Sequence, residues 1–134
     1  MIKTVLSLLN EESIEDRILH PADNYIEEEL KSGSDVRELY SWCSENLESG
    51  APHLAEVLHC ISRLEKKITG KDGKQLMLSA LKNSNLDVRE AAICAFESWG
   101  GHDSISALKQ YVESEPIDWL RNYANKVIED PRYT

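Results

Sequence analysis

Nowhere in the 134 residues is there an apolar run near the roughly 20 that a membrane-spanning helix needs, so no helical membrane span is expected. No stretch alternates apolar and polar residues with period two, so no sheet is expected either. Cysteine is sparse: Cys43, Cys60 and Cys94 are odd in number, contain no CxxC pair and fall on or beside apolar helical faces. Small buried thiols in a reducing compartment are therefore expected rather than disulfides. The opening apolar run, Met1 to Leu9, is short and no small-residue cleavage site follows it. A signal peptide is thus not expected, and the expected location is cytoplasmic.

Catalytic constellations are lacking too. His20, His53, His59 and His102 are scattered, and none is followed by Glu. His59 and Cys60 adjoin on a helix, where sequence neighbours point about 100° apart and cannot easily ligate one ion together. No metal site, no cofactor and no catalytic residue is expected.

Basic residues are scarce in the first third. Residues 1–50 hold twelve acids and four bases, a net of −8, while residues 51–134 carry only −1 of the total of −9. Phosphate backbones are bound by Lys and Arg that displace counterions, so such a field repels nucleic acid. It would speed encounter with a basic protein, or it serves only to keep the domain soluble. The one basic cluster, Arg63, Lys66, Lys67, Lys71 and Lys74, surrounds a helix end and turn. It is read as local stabilisation of a helix C-terminus.

What the chain does contain is helical periodicity throughout, in a length that suits one domain with a substantial core. Ile2, Val5, Leu6 and Leu9 form one stripe, and Ile14, Ile18 and Leu19 a second that ends at His20-Pro21. A helix over Asp23 to Lys31 follows. Val36, Leu39, Tyr40, Cys43 and Leu47 mark another, with Asp35 and Glu38 as a capping pair and Gly50 as its stop. Pro52 opens a helix running through Leu54, Val57, Leu58, Ile61, Leu64 and Ile68 to Gly70. Further helices open at Asp72, before Val88, at Asp103 and at Pro116, with stops at Gly100-Gly101 and Asp130-Pro131. The expected fold is all-α with about seven to nine helices.

Two segments repeat. Val88-Arg89-Glu90-Ala91-Ala92 and Leu120-Arg121-Asn122-Tyr123-Ala124 share their order of apolar, Arg and Ala residues, and their arginines stand 32 positions apart. A helix-pair period of this length marks an α-solenoid, whose units bury their apolar faces by stacking on one another. Asn85 to Ala92, the helix ending Trp99-Gly100, Ile105-Ser106-Ala107-Leu108 and Trp119 to Ala124 resemble HEAT repeats of the short, phycobilisome-lyase-like kind. The likeness covers about 47 residues, weakens over Pro52 to Asn83 and is absent before Pro52. It implies a right-handed α-α superhelix in which residues 51–134 are HEAT-like and residues 1–50 form acidic helices of the same domain. It also implies that Arg89 and Arg121 reach an acid or carbonyl of an adjacent turn. The acid usual before that Arg is replaced by Asn85 and Ile117.

Binding is the expected activity, since solenoids present grooves. Trp42, beside Glu38 and Glu45, is an aromatic rimmed by acids and fits a basic partner, or else it packs on a neighbouring helix. Trp119 also points away from its helix's inward face. Trp99, which continues the Val88, Ala92, Phe96 stripe, is read as core. The candidate partner-binding residues are Glu27, Glu28, Glu29, Glu38, Trp42, Glu45 and Trp119. By size, charge and architecture the chain looks like bacterial immunity proteins that neutralise basic toxins, often nucleases, by direct binding as monomers. The alternative is a HEAT-like accessory or lyase-type subunit that holds a cofactor or assembles an enzyme complex.

Overall fold

The computed structural model describes residues 1–12 and 20–133. Among them it contains eight α-helices, one terminal 3-10 turn and no strand. The helices are α1 (Ile2–Glu11), α2 (Pro21–Lys31), α3 (Arg37–Asn46), α4 (Leu54–Ser62), α5 (Lys66–Ala80), α6 (Leu86–Trp99), α7 (Gly101–Val112) and α8 (Asp118–Glu129). The stripe of Ile14, Ile18 and Leu19 lies outside the described residues.

Packing is organised around α6. Its Val88, Ala91, Ala92, Ile93, Ala95 and Phe96 are all buried, so its apolar surface wraps most of the helix instead of one stripe. A helix apolar on several faces must be surrounded. Accordingly α6 lies against α4, α5, α7 and α8, with α4 as its most extensive neighbour. The three alanines, all fully buried, allow backbones to approach closely. Leu58, Ile61, Met77, Ile93, Phe96, Leu108 and Leu120 fill the remaining space. Each such side chain contributes about 1.5–3 kcal/mol on burial. Elsewhere α1 packs on α2, α3 and α4, α3 on α4 and α5, and α7 on α8. Most helices thus contact the next in sequence, α2 with α3 and α4 with α5 being the exceptions, and α1, α3, α4 and α6 also contact the next but one.

Several boundaries differ from the periodicity. Pro21 opens α2 as its first residue, where a missing N–H costs nothing. His20 and Asp23 close a capping box around it. The apolar stripe from Leu54 to Ile68 is not one helix. Arg63 and Leu64 donate to the carbonyls of Cys60 and Ile61, tightening the last turn of α4, and a new helix starts at Lys66. Lys66 and Lys67 therefore occupy a helix N-terminus, where the dipole disfavours them, and the C-terminal explanation of the basic cluster holds for Arg63, the C-cap of α4, but not for these two. Gly70 interrupts α5 with φ 55° and ψ −153°. The helical stop expected there is present as a kink, and no Asp72 cap is needed because the second arm follows Gly70 directly. Ile117, not Pro116, caps α8. Trp99 is half-buried, packs edge-on against Phe96 and donates its indole N–H to the Leu64 carbonyl at 3.0 Å.

Candidate functional site

The acidic helices show which carboxylates are already engaged. Glu29 accepts from the Ser34 hydroxyl at 2.7 Å, and its carbonyl accepts from Ser32 Oγ and the Ser34 N–H, so it closes the end of α2. Glu38 accepts from the Ile2 N–H at 3.1 Å, with the Met1 amino group at 3.3 Å. The Ile2 N–H first, then the amino group, holds the Glu38 carboxyl below the ordinary glutamate value. Glu27, Glu28 and Glu45 are exposed. Among the described residues none of these three, nor Glu48, is in an ion pair.

Trp42 is half-buried and packs against the core, where its carbonyl accepts from Asn46. Glu38, Trp42 and Glu45 share one side of α3 by their i, i+4, i+7 spacing. Trp119 is 50% exposed, but its helix rests on α6 and α7, away from the acidic pair α2 and α3. Six of the seven candidate residues thus lie on the consecutive helices α2 and α3, and Trp119 lies apart on α8.

Among the described residues, three concavities adjoin the acidic helices or the buried charges. A trough of about 470 Å³ between α3 and α5 includes Glu45, and one of about 710 Å³ between α5 and α7 adjoins it. Both are lined by Gln75 and Ser79, so they form one polar path across α3, α5 and α7. The third, about 650 Å³, lies between the α2–α3 turn and the α4–α5 turn and includes Glu27.

The trough between α5 and α7 holds a charge cluster built on Arg89, whose acid the sequence reading did not name. Arg89 Nε and Nη2 bind the two oxygens of Glu115 at 2.7 and 3.2 Å, while Nη1 donates to the carbonyls of Asn83 and Ser84. Glu115 also accepts from the Tyr111 hydroxyl and the Ile117 N–H. Burial alone would raise the Glu115 carboxyl, but the bonds from Arg89, Tyr111 and Ile117 outweigh it and hold it below its ordinary value. Burial, then the Glu115 contact, pushes the Tyr111 hydroxyl well up. Each of the two Glu115 carboxylate oxygens has two donors, so the cluster is closed structurally and offers no free base or nucleophile. Only its carbonyl contacts had a signal in the sequence, through the repeat. Glu115 occupies the position before Arg121 that Asn83 occupies before Arg89, and both arginines donate to that residue's carbonyl.

A second buried charge sits between α2 and α4. Asp23 Oδ2 accepts from the His20 N–H at 2.9 Å and Arg63 Nη1 at 2.7 Å, while Oδ1 has no partner among the described residues. His20 Nδ1 accepts from the Ala22 N–H, which places the ring proton on Nε2, toward the Glu12 carbonyl. Among the described residues no group of three or more His, Cys, Asp or Glu could hold a metal ion. No helix among them is long and apolar enough to cross a membrane.

Among the described residues the architecture is all-α, and its surface offers grooves and acids outside any ion pair. No protein-family model, no curated protein and no solved structure matches the chain.

Proposed function

We propose that this chain is a non-catalytic, HEAT-like α-solenoid that binds a basic protein through its acidic N-terminal helices. Three features support the repeat reading. Contacts between alternate helices, α1 with α3, α3 with α5, α4 with α6 and α6 with α8, are of the kind a stacked helix-pair array makes. Gly70 (φ 55°, ψ −153°) and Gly100 (φ 60°, ψ −167°) turn the chain in one shared conformation. Arg89 and Arg121 each reach back six residues to a carbonyl of the preceding turn.

The observation that carries the binding reading is the set of exposed acids, Glu27, Glu28, Glu45 and Glu48, that no ion pair satisfies among the described residues. Unpaired surface carboxylates of one sign accelerate the approach of a cationic partner. The role we assign is that of an acidic immunity protein, which binds a basic bacterial toxin in the cytoplasm and occludes it. The buried thiols of Cys43 and Cys60 suit that reducing compartment.

The test begins with affinity capture from native extract at low and high salt, followed by association kinetics with the recovered partner. Replacing Glu27, Glu28, Glu45 and Glu48 with Gln should slow association and flatten its salt dependence. Association kinetics unchanged by these four substitutions would remove the electrostatic role.

A further inference from the structure

The lysines that open α5 are not explained by their own helix, since Lys66 and Lys67 sit where the dipole disfavours them. The fold brings this side of α5 against α7. Lys66 Nζ stands over Gly101, the first residue of α7, 3.2 Å from where a Cβ would lie. Lys74 reaches Asp103 on the first turn of α7 at 3.1 Å. Past the kink at Gly70, Lys71, Gln75, Leu78 and Lys82 follow one face of α5 and its C-terminal turn at i, i+4, i+7 and i+11. The last three of them line the trough of about 710 Å³ between α5 and α7.

Charge along that face does not cancel. Asp103 is taken by Lys74 and Glu115 by Arg89, whereas Lys66, Lys71 and Lys82 are exposed and in no ion pair among the described residues. Asp72 lines the separate trough against α3, beside Arg37, and Glu113 lies outside the lining. Between the lysines the lining is neutral. The side chains of Gln75, Ser79 and Gln110 carry donors and acceptors that no hydrogen bond among the described residues uses, beside the half-buried Leu78 and Ala107. We infer that this trough receives an extended acidic segment of a protein partner. One carboxylate of the segment meets Lys82 and another meets Lys71, while the amide and hydroxyl side chains meet its main chain. Lys71 and Lys82 stand eleven residues apart, about 16 Å at about 1.5 Å per helical residue, which an extended chain spans in about five residues. A nucleic acid is disfavoured, because the net charge of −9 repels a polyanion that continues beyond so short a trough. The inference is independent of the proposed grip of α2 and α3 on a basic protein.

The test uses the full chain, labelled with nitrogen-15, and three short synthetic probes. The first is a peptide of serine and alanine with two glutamates at i and i+5, the second has glutamines in their place, and the third is a single-stranded RNA. The first should shift the backbone amides of Gln75, Lys82 and Gln110. Lys71→Gln and Lys82→Gln, at exposed positions, should each weaken it about threefold and reduce its salt dependence. Gln75→Ala should weaken it and leave the salt dependence unchanged.

Equal binding of the glutamate and glutamine peptides, indifferent to Lys71→Gln and Lys82→Gln, overturns the charged contact and with it the inference. Shifts from the glutamate peptide confined to amides outside α5 and α7 overturn the trough as its seat, as does failure of that peptide to bind. If the RNA binds at the same amides more tightly than the glutamate peptide, the occupant is a nucleic acid and the inference falls. The reading of the acidic helices is judged separately, by the kinetics of the glutamine variants at Glu27, Glu28, Glu45 and Glu48 with the captured partner.

Discussion

Arg89 grips Glu115 at two points across 26 residues of chain, Nε to Oε1 at 2.7 Å and Nη2 to Oε2 at 3.2 Å. The pair fastens the turn before α8 to the first part of α6, and it is buried at both ends. Breaking a buried pair by removing one partner leaves the other charge desolvated, which costs about 3–5 kcal/mol. Glu115→Gln should lower stability at neutral pH by that amount in urea denaturation. Because the folded carboxyl lies below its ordinary value of 4.5, its contribution is complete above that value. It is lost as pH falls through the lower, folded value. The stability difference between the parent chain and the glutamine variant should therefore shrink on acidification below 4.5. A difference that is constant with pH would contradict this account.

Two glycines of α5 should be intolerant for different reasons. Gly70 adopts a backbone region that is essentially glycine's alone, though a Cβ there would meet nothing. Gly73 is buried, and a Cβ would lie 2.6 Å from Thr69 Cβ and 3.1 Å from the Tyr40 hydroxyl. Tyr40 Oη also donates to the Thr69 carbonyl at 3.3 Å, so neither neighbour can withdraw freely. Gly70→Ala and Gly73→Ala should each cost about 1–3 kcal/mol, through strain and overpacking respectively. Thermal unfolding reads the loss directly, and a midpoint within error of the parent chain for either variant would refute the stated cause.

The three thiols should separate by reactivity. Cys43 is fully buried, and burial pushes its thiol up to about 12. Burial pushes Cys60 up as well, with the Asp23 charge adding to it. Cys94 is half-buried and accepts from the Tyr123 hydroxyl at 3.3 Å. Since the thiolate is the reactive form, a thiol reagent at neutral pH should label Cys94 first. Cys43 and Cys60 should react only as the chain opens. Mass spectrometry of the time course gives the order, and early modification of Cys43 would overturn it.

The all-helical character was legible because helical periodicity is a local property. Val36, Leu39, Tyr40 and Cys43 repeat at helical spacing on a short segment, and the face they define is the face that packs. The break inside Leu54 to Ile68 was not legible, since both sides continue the same stripe. The acid that answers Arg89 was hidden for a different reason. It belongs to another turn, and nothing in local spacing says that Glu115 comes within reach. Of the acids singled out by composition, only geometry separates Glu29 and Glu38, tied to Ser34 and Ile2, from the open Glu27, Glu28 and Glu45.

By itself the sequence determined the helices, the acidic first third and the paired Val-Arg and Leu-Arg segments, because each depends on composition or on spacing within a few turns. Only the tertiary structure decided the partners of buried charges, the break between α4 and α5 and the apolar groove that exposes Ile68. Those depend on which segments meet across tens of residues, and that is set by how all the apolar faces are buried at once.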